Sequence, residues 1–259
     1  PWFEKPPLYF WISTFFVNFL GEEEISFRLG SILMTLFSLI FVGKIASETT
    51  STKFSFLVAQ MILVTTSIFY FYSRETRMDN GLVLMMIISV YLFLKGTKEE
   101  KYLWGILPAI SIGLMFKNII SLLTIPIILI YSFFYKEWGW VKNTYFWKGL
   151  VPSALIFLPW HMIQTIKYGN SFWESYLGYH VIERAFSNIT GSTDYFYYLI
   201  GLWKYNTPWT ILTILLIITA FILRDKRSEI IRTKTLAPLF SFLFFIIIFT
   251  FAKTRLIPY

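Results

Sequence analysis

The sequence contains no cysteine, which excludes disulfides and thiol chemistry. Charge is scarce, at 15% of 259 residues. There is no low-complexity linker, no heptad series and no internal repeat, which excludes a coiled coil, a solenoid and a string of tethered modules. The apolar runs lack strict alternation, so the sequence does not read as a β-barrel.

What is there is apolar. Hydrophobic residues make up 56% and aromatics 21%, and the mean hydropathy is +0.60, the composition of a chain whose solvent is mostly lipid. Uncharged runs at 29–42, 54–73, 80–94, 102–116, 118–135, 149–166, 205–223 and 235–252 give eight candidate spans. The longer ones exceed the roughly 17 residues a spanning helix needs, and the shorter ones borrow flanking residues. Backbone polar groups must be satisfied inside hydrocarbon, so the predicted fold class is an all-α polytopic membrane protein, a multi-helix transmembrane bundle.

The organisation read from these runs is one transmembrane domain over 1–259. It comprises an extracytoplasmic segment at 1–28, six candidate spans in 29–166, an extracytoplasmic loop at 167–204, two candidate spans in 205–252, and the start of an outer loop at 253–259. Within the first segment, 8–20 is apolar and aromatic but broken by Ser13, Thr14 and Asn18, which fits an interfacial helix better than a span. With no initiator Met before Pro1 and an ending inside a charged loop, the sequence reads as a fragment whose N-terminal helix and C-terminal part are missing.

Orientation follows from charge. The loops at 44–53, 95–101, 136–148 and 224–234 total +7, whereas the opposite set totals 0, so the first set is expected in the cytoplasm. Positive-inside anchoring accounts for the basic balance without nucleic acid.

Charges recur at the outer helix ends: Glu4 and Lys5, Arg74 to Asp79, Lys117, His180 to Arg184, and Lys253 to Arg255. Arg28, Arg74 and Lys167, taken singly, read as side chains snorkelling to headgroups. For Lys117, a lone charge between two uncharged helices, anchor and ligand readings weigh equally. Clustered outer cations suit an anion such as a lipid phosphate, with Arg77 and Asp79 close in a short turn. Glu4 and His180 are the acid and histidine on this face that could share a divalent cation, although a hydrogen-bonded interfacial histidine is the commoner case. His161, beside Pro159-Trp160 inside a span, reads as a satisfied bundle histidine, and the Asn188-Ile189-Thr190 sequon reads as accidental in a bacterial chain.

Several motifs now form an ordered set: Glu4-Lys5-Pro6-Pro7-Leu8, Phe27-Arg28-Leu29, Arg77-Met78-Asp79, Gly113-Leu114-Met115-Phe116-Lys117 followed by Pro126, and Pro159-Trp160. Gly178-Tyr179-His180 with Arg184 and Phe186, and Lys253-Thr254-Arg255-Leu256 with Pro258-Tyr259, continue it. In this the chain resembles the bacterial aminoarabinose transferases and protein O-mannosyltransferase-like glycosyltransferases of the C-type superfamily. Glu-Lys-Pro-Pro is the more specific block; Arg-Met-Asp or Pro-Trp alone would be weak.

The resemblance implies transfer of a sugar from a polyprenyl-phosphate donor to lipid A, a protein or another glycan at the outer face of a bacterial inner membrane, with the lipid phosphate as leaving group. By the same similarity Lys5, Lys117, Arg184 and Lys253 are assigned to the donor phosphate. Glu4 and His180 are assigned to a divalent metal, zinc or similar. Asp79 becomes a supporting carboxylate that positions Arg77 or a sugar hydroxyl. The family's general base lies in an Asp-Glu motif after its first transmembrane helix, which would precede Pro1. Its usual Lys-Thr-Lys is Lys253-Thr254-Arg255 here, which keeps the charge and changes its shape. A lipid-linked sugar transporter or flippase and a non-catalytic membrane scaffold stand as alternatives. The first would put charge at the membrane midplane, and the second leaves the ordered motifs as coincidence.

Overall fold

In the computed structural model, which describes residues 3, 5–50, 52–187, 192, 194–222 and 227–254, the chain is helical throughout and forms no strand among those residues. Pro6 and Pro7 lead into α1 (Leu8–Leu20), which Gly21 ends at φ 84°, and α2 (Glu24–Thr50) follows. Then come α3 (Lys53–Thr65), α4 (Ser67–Ser73) and α5 (Asp79–Gly96). A 3₁₀ turn at Glu100–Gly105 leads into α6 (Ile106–Phe116), and another at Ile119–Leu123 leads into α7 (Thr124–Tyr135). The order continues with α8 (Thr144–Lys148), α9 (Leu150–Tyr168), α10 (Asn170–Trp173), a π-helix at Glu174–Glu183 and α11 (Arg184–Phe186). It closes with α12 (Tyr197–Asn206), α13 (Trp209–Ile222) and α14 (Arg227–Phe251).

Three helical stretches, Glu24–Thr50, Asp79–Gly96 and Thr144–Tyr168, are long and apolar enough to cross a membrane among the described residues. The pair α3 and α4 meets that test together but is bent by 75° at Thr66. The break is chemically quiet, because Thr65 and Thr66 donate their hydroxyls back to Met61 and Ile62 carbonyls, and Trp209 Nε1–H donates to Thr65 Oγ1 at 3.1 Å. The predicted run at 102–116 divides into the 3₁₀ turn and α6.

The bundle packs through small hydroxyl residues. Ser26, Gly30, Ser31, Thr35, Ser38 and Gly43 are buried on α2, and Ser89 is buried on α5, against which α2 packs. Small side chains let backbones approach where lipid supplies no hydrophobic drive between helices. Thr35, Ser38 and Ser89 return their protons to carbonyls one turn back, so the hydroxyls stay satisfied without water. One apolar core joins Phe93, Leu103, Ile106, Ile128 and Tyr131, and a second joins Tyr9, Met34, Leu82 and Phe116. Outward, α1 shows Phe10, Trp11, Phe15 and Phe19, and α9 shows Leu155, Met162 and Ile166. Such a surface suits lipid.

Candidate active site

Two motif segments interlock at the start of α5. Lys117 ends α6 and is 5% exposed, and its ammonium donates to the Asp79 carboxylate across 38 residues of chain. Local packing explains the placement. A Cβ on Gly81 would lie 2.5 Å from the Phe116 ring, and one on Gly113 would lie 2.2 Å from Ser121 Oγ. Glycine at both positions therefore lets α5, α6 and the following 3₁₀ turn close up. Ser121 Oγ donates to the Ile110 carbonyl at 2.8 Å, and Asn118 Oδ1 accepts from the Ile120 amide at 3.2 Å, so the chain folds back directly after Lys117.

Asp79 and Lys117 line a cavity of about 620 Å³ that is otherwise largely apolar. On α5 its lining residues are Asp79, Leu82, Val83, Met86, Ile87 and Val90, one helical face. Asp79 to Val90 is eleven steps, about 16 Å of helix axis. The facing wall comes from Phe242, Phe245, Ile246 and Phe249 on α14 and from α12, which adds Tyr197, Tyr198, Tyr205 and Lys204. The result is a greasy slot with an ion pair at one end.

Arg77 does not join this pair. Its guanidinium is held by the Glu75 carboxylate and lies 4.1 Å from the Tyr72 ring centroid. Of the expectation that Asp79 positions Arg77 or a sugar hydroxyl, the Arg77 half is thus corrected, because the guanidinium is taken by Glu75 and the Asp79 carboxylate by Lys117. The Arg77 main chain is pinned instead: its N–H donates to Ser31 Oγ at 3.0 Å, and Ser31 Oγ lies 3.2 Å from its carbonyl and 2.9 Å from Tyr9 Oη.

A second convergence joins the other basic motifs. Lys253 N–H donates to the Ala185 carbonyl at 3.0 Å, Thr254 N–H to the Arg184 carbonyl at 3.2 Å, and Thr254 Oγ1 to the Ser187 carbonyl at 2.8 Å. Main-chain hydrogen bonds therefore bring the segment after α14 against α11, and His180 lies one turn before Arg184 in the π-helix. Lys5, Arg184 and Lys253 are not among the residues lining the slot. Glu4, Arg255 and the Asn188-Ile189-Thr190 sequon lie outside the described residues. No group of three or more His, Asp or Glu side chains comes together to hold a metal ion among the described residues.

His161 is buried, as a satisfied bundle histidine should be. Its Nδ1 lies 2.8 Å from the Phe157 carbonyl, which can only accept, so the proton sits there and Nε2 faces the Tyr176 hydroxyl at 3.4 Å. Burial pushes the Tyr176 phenol up, keeping it neutral. Trp160 stands edge-on to Phe172 and Tyr176, so Pro159-Trp160 serves an aromatic cluster.

Sequence reasoning missed Tyr9, Ser31 and Lys204. Tyr9 stands one residue beyond the Glu-Lys-Pro-Pro-Leu block, which was a signal; nothing local marks Ser31 among many helical serines.

Comparison with known proteins places this geometry. The family model described as dolichyl-phosphate-mannose-protein mannosyltransferase matches residues 4–163. The undecaprenyl phosphate-alpha-4-amino-4-deoxy-L-arabinose arabinosyl transferase of Edwardsiella ictaluri is 25% identical over 218 residues, covering 80% of this chain and 39% of its own length. The enzyme of that name from Enterobacter sp. is 22% identical over 221 residues, covering 82% and 39%. The crystal structure of ArnT from Cupriavidus metallidurans bound to undecaprenyl phosphate superposes with a TM-score of 0.82 at 18% identity, over 99% of this chain and 47% of that one. Its apo form gives 0.80 at 17% identity, over 99% and 46%. This chain thus spans about two-fifths of the length of those curated relatives, has the fold of a multi-pass membrane glycosyltransferase, and belongs to the dolichyl-phosphate-mannose-protein mannosyltransferase family.

Proposed function

We propose that this chain carries the donor site of a membrane glycosyltransferase that takes a sugar from a polyprenyl phosphate at the extracytoplasmic face and passes it to a lipid or protein acceptor. The observation that carries this reading is the slot itself, an apolar passage about 16 Å long on α5 with the Asp79–Lys117 pair at one end. A prenyl chain offers apolar length and a phosphate offers anionic charge, the two chemistries the slot supplies. The curated relatives carry undecaprenyl phosphate in their names, and one solved relative holds it.

In the reaction, an acceptor oxygen forms a bond to the anomeric carbon while the bond from that carbon to the phosphate oxygen breaks. The electron pair leaves with the phosphate, and the acceptor proton passes to a general base, with inversion. Lys117 offsets the charge growing on the departing phosphate, and its burial makes that offset stronger than it would be in water. Asp79 holds the ammonium in place before the donor arrives. Lys5, Arg184 and Lys253 are assigned to the donor phosphate as it enters. Glu4 and His180 are the residues assigned to a divalent metal, and no step is routed through one, since Glu4 lies outside the described residues.

The test is Lys117→Ala in the full-length protein, with undecaprenyl phosphate binding and transfer of aminoarabinose from its undecaprenyl phosphate carrier as readouts. Binding and transfer should each fall by about tenfold or more, the loss expected for a charge-assisted contact, with insertion and expression retained. Unchanged binding in a well-inserted variant would remove the donor site from this cavity.

A further inference from the structure

We infer that Ser31 and Tyr9 are positioning residues that set the Asp79–Lys117 pair from the surface helix α1; this rests on the donor-site reading above. Ser31 is fully buried and Tyr9 is 3% exposed. A serine hydroxyl has one proton and two lone pairs, and here all three have partners. The Arg77 amide donates to Ser31 Oγ at 3.0 Å, and Ser31 donates to the Arg77 carbonyl at 3.2 Å. Tyr9 Oη joins Ser31 Oγ at 2.9 Å, a contact in which either hydroxyl can donate and which is shorter than the one from Tyr9 to the Phe27 carbonyl at 3.4 Å.

Ser31 thereby grips both polar groups of one peptide residue, as a neighbouring strand would. The gripped residue stands two before Asp79. Met78 lies between them with φ −71° and ψ −19°, and its carbonyl accepts from Leu82 at 3.2 Å, so there is little slack from Arg77 into the first turn of α5. The Asp79 carboxylate is placed by this main chain and not by its neighbour's guanidinium, which is turned to Glu75 and Tyr72. Tyr9 stands in the first turn of α1, directly after Lys5-Pro6-Pro7-Leu8. The placement of α1 is therefore transmitted through two hydroxyls to the carboxylate facing Lys117.

A double-mutant cycle in the full-length protein tests this, with undecaprenyl phosphate as the probe and its dissociation constant as the readout. Ser31→Ala should weaken binding about tenfold when Asp79 is present and change it less than about twofold when Asp79 is already Asn, since a grip acting only through that carboxylate has nothing left to position. Tyr9→Phe, which keeps the ring, should show the same pattern at smaller size, and it replaces Ser31→Ala if that variant does not insert. Wild-type affinity in Ser31→Ala, or the same loss in both Asp79 backgrounds, overturns the positioning role and leaves the donor site standing. If Asp79→Asn and Lys117→Ala both bind as wild type, the donor-site reading falls and takes this inference with it.

Discussion

At the scale of single residues, Gly81 shows how little room the site leaves. A methyl there would stand 2.5 Å from the Phe116 ring, and the next residue along that helix is Lys117. Gly81→Ala should cost about 1–3 kcal/mol through overpacking and weaken undecaprenyl phosphate binding by moving Phe116 and with it the ammonium; thermal unfolding and a binding titration on the purified protein check both. The requirement for glycine at 81 and 113 is not legible in the sequence, because each depends on a side chain from another element. That Lys117 is set apart was legible, since a lone charge between two apolar runs stands out. Its partner was not: Asp79 is 38 residues away, and the nearer Arg77 drew the inference instead.

At the scale of elements, the helical runs were readable because a long uncharged stretch in lipid has few options besides a helix. The break between α3 and α4 was not, since Thr65-Thr66-Ser67 holds neither proline nor glycine and the hydroxyls that quiet the bend are equally at home in a straight helix. The clasp between 253–254 and 184–187 was hidden for another reason, as main-chain pairing leaves no mark in side-chain chemistry. It can be checked directly. A Lys253 amide 3.0 Å from the Ala185 carbonyl keeps the two Cα atoms within about 7 Å, inside disulfide reach, so Ala185→Cys with Lys253→Cys should cross-link on oxidation in native membranes. Residues 1–259 hold no cysteine to compete, so a gel shift of the proteolysed protein reads the result, and the absence of a link at full expression counts against the clasp.

At the scale of the whole molecule, the outer surface is apolar where that of a water-soluble bundle is polar. Hydroxyls of Ser31, Ser38, Ser89, Ser121 and Ser132 are buried beside the apolar cores, while many other Phe, Leu and Ile side chains face outward. The loop charges, +7 against 0, predict that the basic loops face the cytoplasm. Asp194→Cys should accordingly react with a membrane-impermeant maleimide in intact cells, and Gly139→Cys, at an exposed turn in the basic set, should react only after permeabilisation. The reverse pattern would put the slot's charged end in the cytoplasm.

The Asp79–Lys117 pair also constrains the routes by which this sequence can change. Replacing Asp79 alone strips a counter-charge from a nearly buried ammonium, and replacing Lys117 alone leaves a carboxylate facing a greasy wall. Either step costs more than losing the pair together, because two apolar side chains of similar volume could pack where the ions stood. The two positions therefore behave as one heritable unit. Drift one substitution at a time is blocked at both, and a lineage that abandons the chemistry is expected to lose them as a couple, keeping the bundle while the slot becomes plain lining.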